Sequence, residues 1–313
     1  MFMKASVCTK FGPPEVLIKI HATTATKFDC WIRGSSRMFR FLMRLATGIK
    51  FPKDTILGTE FAGQIETVGN DVTQFKEGDQ VFGSLGMRMG AYVEYICLPQ
   101  DGVLAIKPVN MSYEQAAAVQ QGALTALYLL RKIKIQKGQK ILIYGASGGV
   151  GLSTVQLAKY FGAEVTGVCS TTKLELVKAM GADKVIDYTT TDYTQAGETY
   201  DIIFDTIGTS PFSGSVKSLK DKGIYLFVTY GIRRMLRTRW LNLTSSKKAV
   251  SWLVEETRED LIFIRDLIET DKIKVVIDKK FPLEQAAEAH RYTESGQKIG
   301  SIVITLVDSN QEG

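Results

Sequence analysis

Residues 140–162, KILIYGASGGVGLSTVQLAKYFG, constrain the fold more than any other stretch of this 313-residue chain. The run Lys140-Ile141-Leu142-Ile143-Tyr144 is short, apolar and rich in β-branched residues, the pattern of a strand buried on both faces of a parallel sheet. Glycines follow at 145, 148 and 151, and Val150, Val155, Leu157, Ala158 and Phe161 then supply the apolar face of a helix that stops at Gly162. A turn of this kind must reverse sharply, bring backbone N–H groups against a pyrophosphate and pack the new helix close to the strand, and glycine permits all three. The spacing predicts a dinucleotide site whose phosphates sit on a helix N-terminus.

The flanking chain is organised around that unit. Residues 3–114 read as mostly β, with strands at Ala5-Ser6-Val7-Cys8, Val16–Ile20, Phe61–Gly69, Gln80-Val81-Phe82 and Ala91–Ile96 separated by glycine and proline turns. Many short strands suggest a small barrel-like domain. Ser112, followed three residues later by Gln115, has the form of a capping box opening a helix through Leu130. Beyond the glycine turn come strands at Glu164–Cys169, Lys184–Ile186, Asp201–Asp205 and Ile224–Val228, with a helix from Lys173 to Met180, the alternation of a doubly wound parallel sheet. Arg258–Glu269 is an amphipathic helix, and strands at Val275–Ile277 and Ser301–Ile304 flank a helix from Leu283 to Tyr292. That tail is expected to complete the first domain, leaving 115–253 as an insertion in a domain of 1–114 plus 254–313.

A net charge of +6 suits an anionic ligand but is too diffuse for nucleic acid, and no nucleic-acid motif accompanies it. The four cysteines, Cys8, Cys30, Cys97 and Cys169, are far apart and form no CxxC pair, which argues against structural zinc and a disulfide framework and fits a reducing cytoplasm. No run reaches the roughly 18 apolar residues of a membrane span, and the N-terminus has no signal-peptide core. A soluble, cytoplasmic protein is the expectation.

Three segments then resemble one family. They are Leu57–Gly63 running on to Glu77–Gly83, Gly122–Ala126 leading to Tyr144–Gly151, and Gly181–Tyr188. In that order and spacing they resemble the medium-chain dehydrogenase/reductases, in the zinc-independent quinone oxidoreductase branch. The resemblance implies a GroES-like β-barrel domain around an inserted Rossmann domain, with the active site in the cleft between them, and a homodimer. Family members carry a longer stretch between the positions matching Val16 and Leu17, which here are adjacent.

For the metal, zinc relatives hold a histidine in a Gly-His-Glu triplet, where this chain has Gly58-Thr59-Glu60. Its two histidines, His21 and His290, have no partner at ligand spacing, so no metal is expected. For the cofactor, an NAD site presents an acid at the end of the second strand, and here that strand runs into Ser170-Thr171-Thr172-Lys173 instead. Hydroxyls and an ammonium attract a 2′-phosphate, so NADPH is expected. By resemblance, Ser170, Lys173 and Tyr188 hold that phosphate, the backbone at Gly145, Ser147, Gly148, Gly149, Val150 and Gly151 meets the pyrophosphate, and Thr125 lies near the nicotinamide. The plainer readings are an N-cap for Ser170, a solvated helix lysine for Lys173 and a back-bonded helix threonine for Thr125.

On the substrate side, Thr26 stands where the family often has asparagine, and Phe28 and Thr59 complete that wall. Thr26 and Tyr230 are the catalytic candidates, with core packing the alternative for Phe28. The expected reaction is hydride transfer from NADPH to a small electrophile, a quinone, an enone or an aldehyde. The alternatives are a non-catalytic NADPH-binding protein, crystallin-like or interacting, and a metal-free alcohol/aldehyde oxidoreductase. Two basic, apolar segments, Arg33–Lys53 and Ile232–Trp252, are read either as covers or subunit contacts or as weak attachment to an anionic membrane surface.

Overall fold

The computed structural model describes residues 15–34, 56–228 and 232–306, with side chains throughout except at 232–236. It divides into two compact units, one holding the described residues up to Gln121 with Glu256–Asp271 and those from Val275 on, the other Gly122–Glu255 with Lys272–Lys274.

The first unit is built on β1 (Glu15–Thr24), in which Val16, Ile18, Ile20 and Ala22 point inward at period two. Helix α1 (Lys27–Gly34) follows, then β2 (Glu60–Val68), β3 (Gln80–Ser84), β4 (Tyr95–Pro99) and β5 (Leu104–Ile106). Helix α2 (Tyr113–Lys132) opens with the expected capping box: the Ser112 amide donates to Gln115 Oε1 at 3.0 Å, and the Gln115 amide to Ser112 Oγ at 3.3 Å.

The second unit begins within α2 at Gly122. It contains β6 (Lys140–Tyr144), α3 (Gly149–Tyr160), β7 (Glu164–Cys169), α4 (Leu174–Ala179), β8 (Lys184–Asp187), β9 (Tyr200–Asp205), α5 (Phe212–Lys217), β10 (Leu219–Phe227), α6 (Ile232–Thr244) and β11 (Lys248–Val250). Helix α7 (Arg258–Glu269), β12 (Ile277–Pro282), α8 (Ala286–Glu294) and β13 (Ser301–Thr305) return to the first unit.

The first unit's seven-stranded sheet has the order β12-β13-β1-β2-β3-β5, with β4 also on β1. Its pairs are antiparallel apart from β12 with β13. The side chains of Val16, Ile18, Phe61, Val81 and Leu104 fill its core. The second unit is a six-stranded parallel sheet in the order β11-β10-β9-β6-β7-β8. Read from the other edge, this is the 3-2-1-4-5-6 order of a dinucleotide-binding fold, whose order reverses between β6 and β9.

Several expected elements shift. Residues 92–94 are bends and the strand begins at Tyr95, because that segment turns to let the Ala91 and Tyr92 amides donate to the carbonyls of Gly58 and Leu57. Residues 275 and 276 precede β12, which starts at Ile277. The helix expected from Lys173 opens as a 3₁₀ turn at Thr171–Lys173 and becomes α-helical at Leu174. The short strands β5 and β11 and the helix α1 carry too few periodic residues to be read from sequence. The strand expected at Ala5–Cys8 and most of the basic segment Arg33–Lys53 lie outside the described residues.

Candidate functional site

In the second unit, the chain leaves β6 through Gly145, whose φ of +83° is the left-handed conformation that glycine adopts without strain. Gly151 lies so close to the turn that a Cβ there would stand 2.2 Å from the Gly145 carbonyl oxygen. Helix α3 starts from Gly148 with no side-chain cap and no acid in its first turn, so its leading N–H groups and partial positive charge are directed at the turn rather than at its own side chains. Ser147 is buried there, while Gly148, Gly149 and Val150 are half-buried.

Across the point where the strand order reverses, Thr206 after β9 donates to the carbonyls of Tyr144 at 2.9 Å and Gly145 at 3.2 Å. The loop beyond it is wound about the buried Asp205 carboxylate, which accepts from the amides of Ile207, Gly208 and Ser210 and from the hydroxyls of Ser210 and Tyr225. An open doubly wound sheet binds its ligand at these carboxyl ends. The residues present fit a dinucleotide.

At the end of β7, Ser170 occupies the N-cap position of the 3₁₀ turn but makes no side-chain cap bond, so the plainer reading of its hydroxyl does not hold. Lys173, half-buried, ends the same turn. Tyr188, after β8, is 52% exposed with its ring 6.3 Å from that of Tyr144. Thr125 is buried on α2. Tyr230 lies outside the described residues.

In the first unit, Thr26 caps α1. Its amide and hydroxyl both donate to Asp29 Oδ2, at 2.8 and 2.6 Å, and the Asp29 amide donates back to Thr26 Oγ1 at 3.1 Å. The other oxygen of Asp29 accepts the Gly58 amide at 3.0 Å. The Thr26 proton is therefore committed to a buried carboxylate, and Thr26 serves as a cap and a support for the Gly58–Glu60 strand entry. Phe28 is half-buried with its ring 6.0 Å from Trp31.

Thr59 is different: it is 4% exposed, and its Oγ1 has no hydrogen-bond partner among the described residues. A buried hydroxyl without a partner is costly, and this one has its proton available to a ligand. Glu60 beside it accepts the Thr24 hydroxyl and, at 2.6 Å, the Gln121 amide. Burial pushes its carboxyl up to about 8, so it is largely protonated at neutral pH.

Two features were not legible in sequence. Cys30 Sγ lies 3.5 Å from His290 Nδ1, and His290 Nε2 is 2.9 Å from the Tyr92 hydroxyl, which is 3.0 Å from the Thr24 carbonyl. With the tyrosine proton on that carbonyl, Nε2 carries the imidazole proton, and burial lowers the His290 pKa in keeping with a neutral ring. The other is Lys298, pushed down to about 8 by burial and then by the charge of Lys27, with its Nζ 3.1 Å from the Gly300 carbonyl. No motif marks either, because Cys30 and His290 are 260 residues apart.

Among the described residues no group of three or more His, Cys, Asp or Glu side chains could hold a metal ion. The Gly58-Thr59-Glu60 triplet carries no histidine or cysteine, and Asp29, bonded to the Gly58 amide, already accepts from three donors, a set that does not suit zinc.

Residues 12–108 match the family model of the alcohol dehydrogenase GroES-like domain, and residues 180–304 that of the zinc-binding dehydrogenases. A chloroplastic quinone-oxidoreductase of Triphysaria versicolor is 34% identical over 304 residues, 94% of this chain and 90% of that protein. The chain belongs to the medium-chain dehydrogenase/reductases, in the quinone oxidoreductase branch. A chloroplastic NADPH-dependent alkenal/one oxidoreductase of Arabidopsis thaliana is 31% identical over 301 residues, 93% of this chain and 72% of that protein. Among solved structures, the Escherichia coli quinone oxidoreductase complexed with NADPH superposes with a TM-score of 0.77 at 28% identity, covering 96% of this chain and 95% of that one. This family's oxidoreductases use a nicotinamide cofactor, and the turn between β6 and α3 is where this chain would hold it.

Proposed function

We propose that this chain is an NADPH-dependent reductase of quinones and α,β-unsaturated carbonyls that works without a metal. The observation that carries the reading is the uncapped N-terminus of α3, set at the reversal of strand order and followed by a β7 that ends in Ser170 and Lys173 instead of an acid. The substrate class is supported by the activities for which the quinone and alkenal/one relatives are named.

NADPH, when bound, supplies the hydride. The chain's own residues bind and orient. The N–H groups of Ser147, Gly149 and Val150 would receive the pyrophosphate, Ser170 and Lys173 the 2′-phosphate, and Thr125 would lie near the nicotinamide, while Thr206 holds the turn in register through the Tyr144 and Gly145 carbonyls. In the first unit, Thr59 rather than Thr26 offers a hydroxyl proton to the substrate oxygen, because the Thr26 proton is held by Asp29. A homodimer in the cytoplasm belongs to the same reading. The support for the dimer is the edge position of β11, beside α6 with Trp240 and Leu243 68% and 76% exposed.

One experiment tests the core of the proposal: NADPH consumption with a panel of quinones, enones and aldehydes, with and without chelator, for wild type and Thr59→Val. Turnover of quinones or enones, indifferent to chelator, is expected, with kcat/KM about tenfold lower in Thr59→Val for loss of one hydrogen bond to the reacting oxygen. Absence of turnover on every compound would favour a non-catalytic NADPH-binding protein, the reading to which the committed Thr26 hydroxyl lends weight. Sensitivity to chelator would refute the metal-free site.

A further inference from the structure

The strand that reads the adenosine ribose in this fold is β7, and it ends without an acid. The acid is on the next strand. β8 pairs in parallel with β7, with Cys169 opposite Asp187, so Asp187 stands at the same carboxyl edge as Ser170. One of its oxygens accepts the Thr171 hydroxyl. The other accepts the Thr189 amide at 2.9 Å and the Thr189 hydroxyl at 2.7 Å, and the two threonine hydroxyls lie 3.3 Å apart. These bonds, that of Thr171 foremost, hold the Asp187 carboxyl below the usual range. A fixed negative charge therefore backs the Ser170–Lys173 turn, and Thr171, its proton directed at Asp187, has none to give an anion.

We propose that Asp187 is a specificity-determining residue for the nucleotide, opposing the 2′-phosphate that Ser170 and Lys173 attract. The proposal rests on the NADPH reading given above. Its physical content is a difference in charge. A carboxylate one side chain away from the turn repels a phosphate that carries up to two negative charges and leaves an unphosphorylated 2′-hydroxyl nearly unaffected. The preference between the two dinucleotides is then a balance of Lys173 against Asp187 rather than the work of Lys173 alone. The repulsion acts through exposed surface, so salt screens it.

The test needs no turnover. Titration calorimetry of wild type and Asp187→Asn with 2′,5′-ADP and with 5′-ADP, at low and high salt, separates charge from architecture. The carboxamide oxygen of asparagine can still accept a threonine hydroxyl, and unchanged melting of the variant would show that the turn survives. Asp187→Asn should bind 2′,5′-ADP roughly three- to tenfold more tightly at low salt, hold 5′-ADP within about twofold, and lose the gain at high salt. Thr171→Val, which keeps the charge, should keep the wild-type ratio. Parallel weakening of both nucleotides in Asp187→Asn would make Asp187 a structural clamp only and overturn the proposal, as would an unchanged ratio. Wild type that binds neither nucleotide overturns the nucleotide reading itself, and the proposal with it. Wild type that binds 5′-ADP more tightly overturns only the NADPH preference, and the shift in the variant still decides the role of Asp187.

Discussion

Glu60 sits where metal-dependent relatives place the glutamate of a Gly-His-Glu triplet, and here it is a buried acid facing a threonine hydroxyl and a helix amide. Its folded pKa of about 8 lies well above the ordinary value near 4.5. Between those two values the unfolded chain has released a proton that the folded chain retains, so this residue's contribution to stability falls as pH rises through that window, by up to about 1.4 kcal/mol per pH unit. The carboxyls of Asp29 and Glu256, also raised by burial, act in the same direction, and His290, lowered by burial, acts in the opposite one. Comparison with Glu60→Gln isolates the residue. Urea denaturation at pH 5.5 and pH 8 should show wild type losing stability relative to the variant by at least about 1 kcal/mol as pH rises. A gap that stays constant with pH would mean that the carboxyl ionises normally.

At the scale of elements, the contact of α2 with the glycine turn is sensitive to a single substitution. A Cβ on Gly122 would stand 2.7 Å from the Gly149 carbonyl oxygen and 2.9 Å from Ser153 Oγ, so backbone would have to move. Gly122→Ala should lower stability by about 1–3 kcal/mol despite alanine's better helix propensity and weaken NADPH affinity several-fold, read by melting and by titration. A stabilised variant with normal affinity would show that the helix can slide away at no cost. The turn and most of the parallel sheet were legible because buried strands and capped helices leave continuous patterns, and the Ser112–Gln115 capping box is an example. What escaped was set by tertiary contact. Residues 92–94 bend after the Ala91 and Tyr92 amides are taken by Gly58 and Leu57, and α1 is eight residues long with only Asp29, Cys30 and Ile32 buried. The nucleotide turn was readable from glycine spacing, whereas the Asp29–Thr26 cap and the unpartnered Thr59 hydroxyl depend on which side chains the fold brings within reach.

Across the whole molecule, ligand binding should register as stability. A cofactor that binds only the folded chain contributes about 2.7 kcal/mol at a hundredfold excess over its Kd, which for domains of this size raises the melting temperature by about 5 °C or more. Calorimetric scans with saturating NADPH should show that rise, and NADH at equal concentration a smaller one. Equal shifts with the two cofactors would remove the assigned preference, and no shift with either would place the second unit's turn outside nucleotide binding.

The thiol of Cys30, enclosed by His290 and 5% exposed, has a consequence for a protein that handles quinones and enones. Such compounds are Michael acceptors and alkylate thiolates. Burial pushes Cys30 up to about 11 and does the same for Cys169, which is 2% exposed. Both sulfurs are thus kept protonated and sheltered, so a reductase can meet reactive electrophiles turnover after turnover without being poisoned through these two side chains.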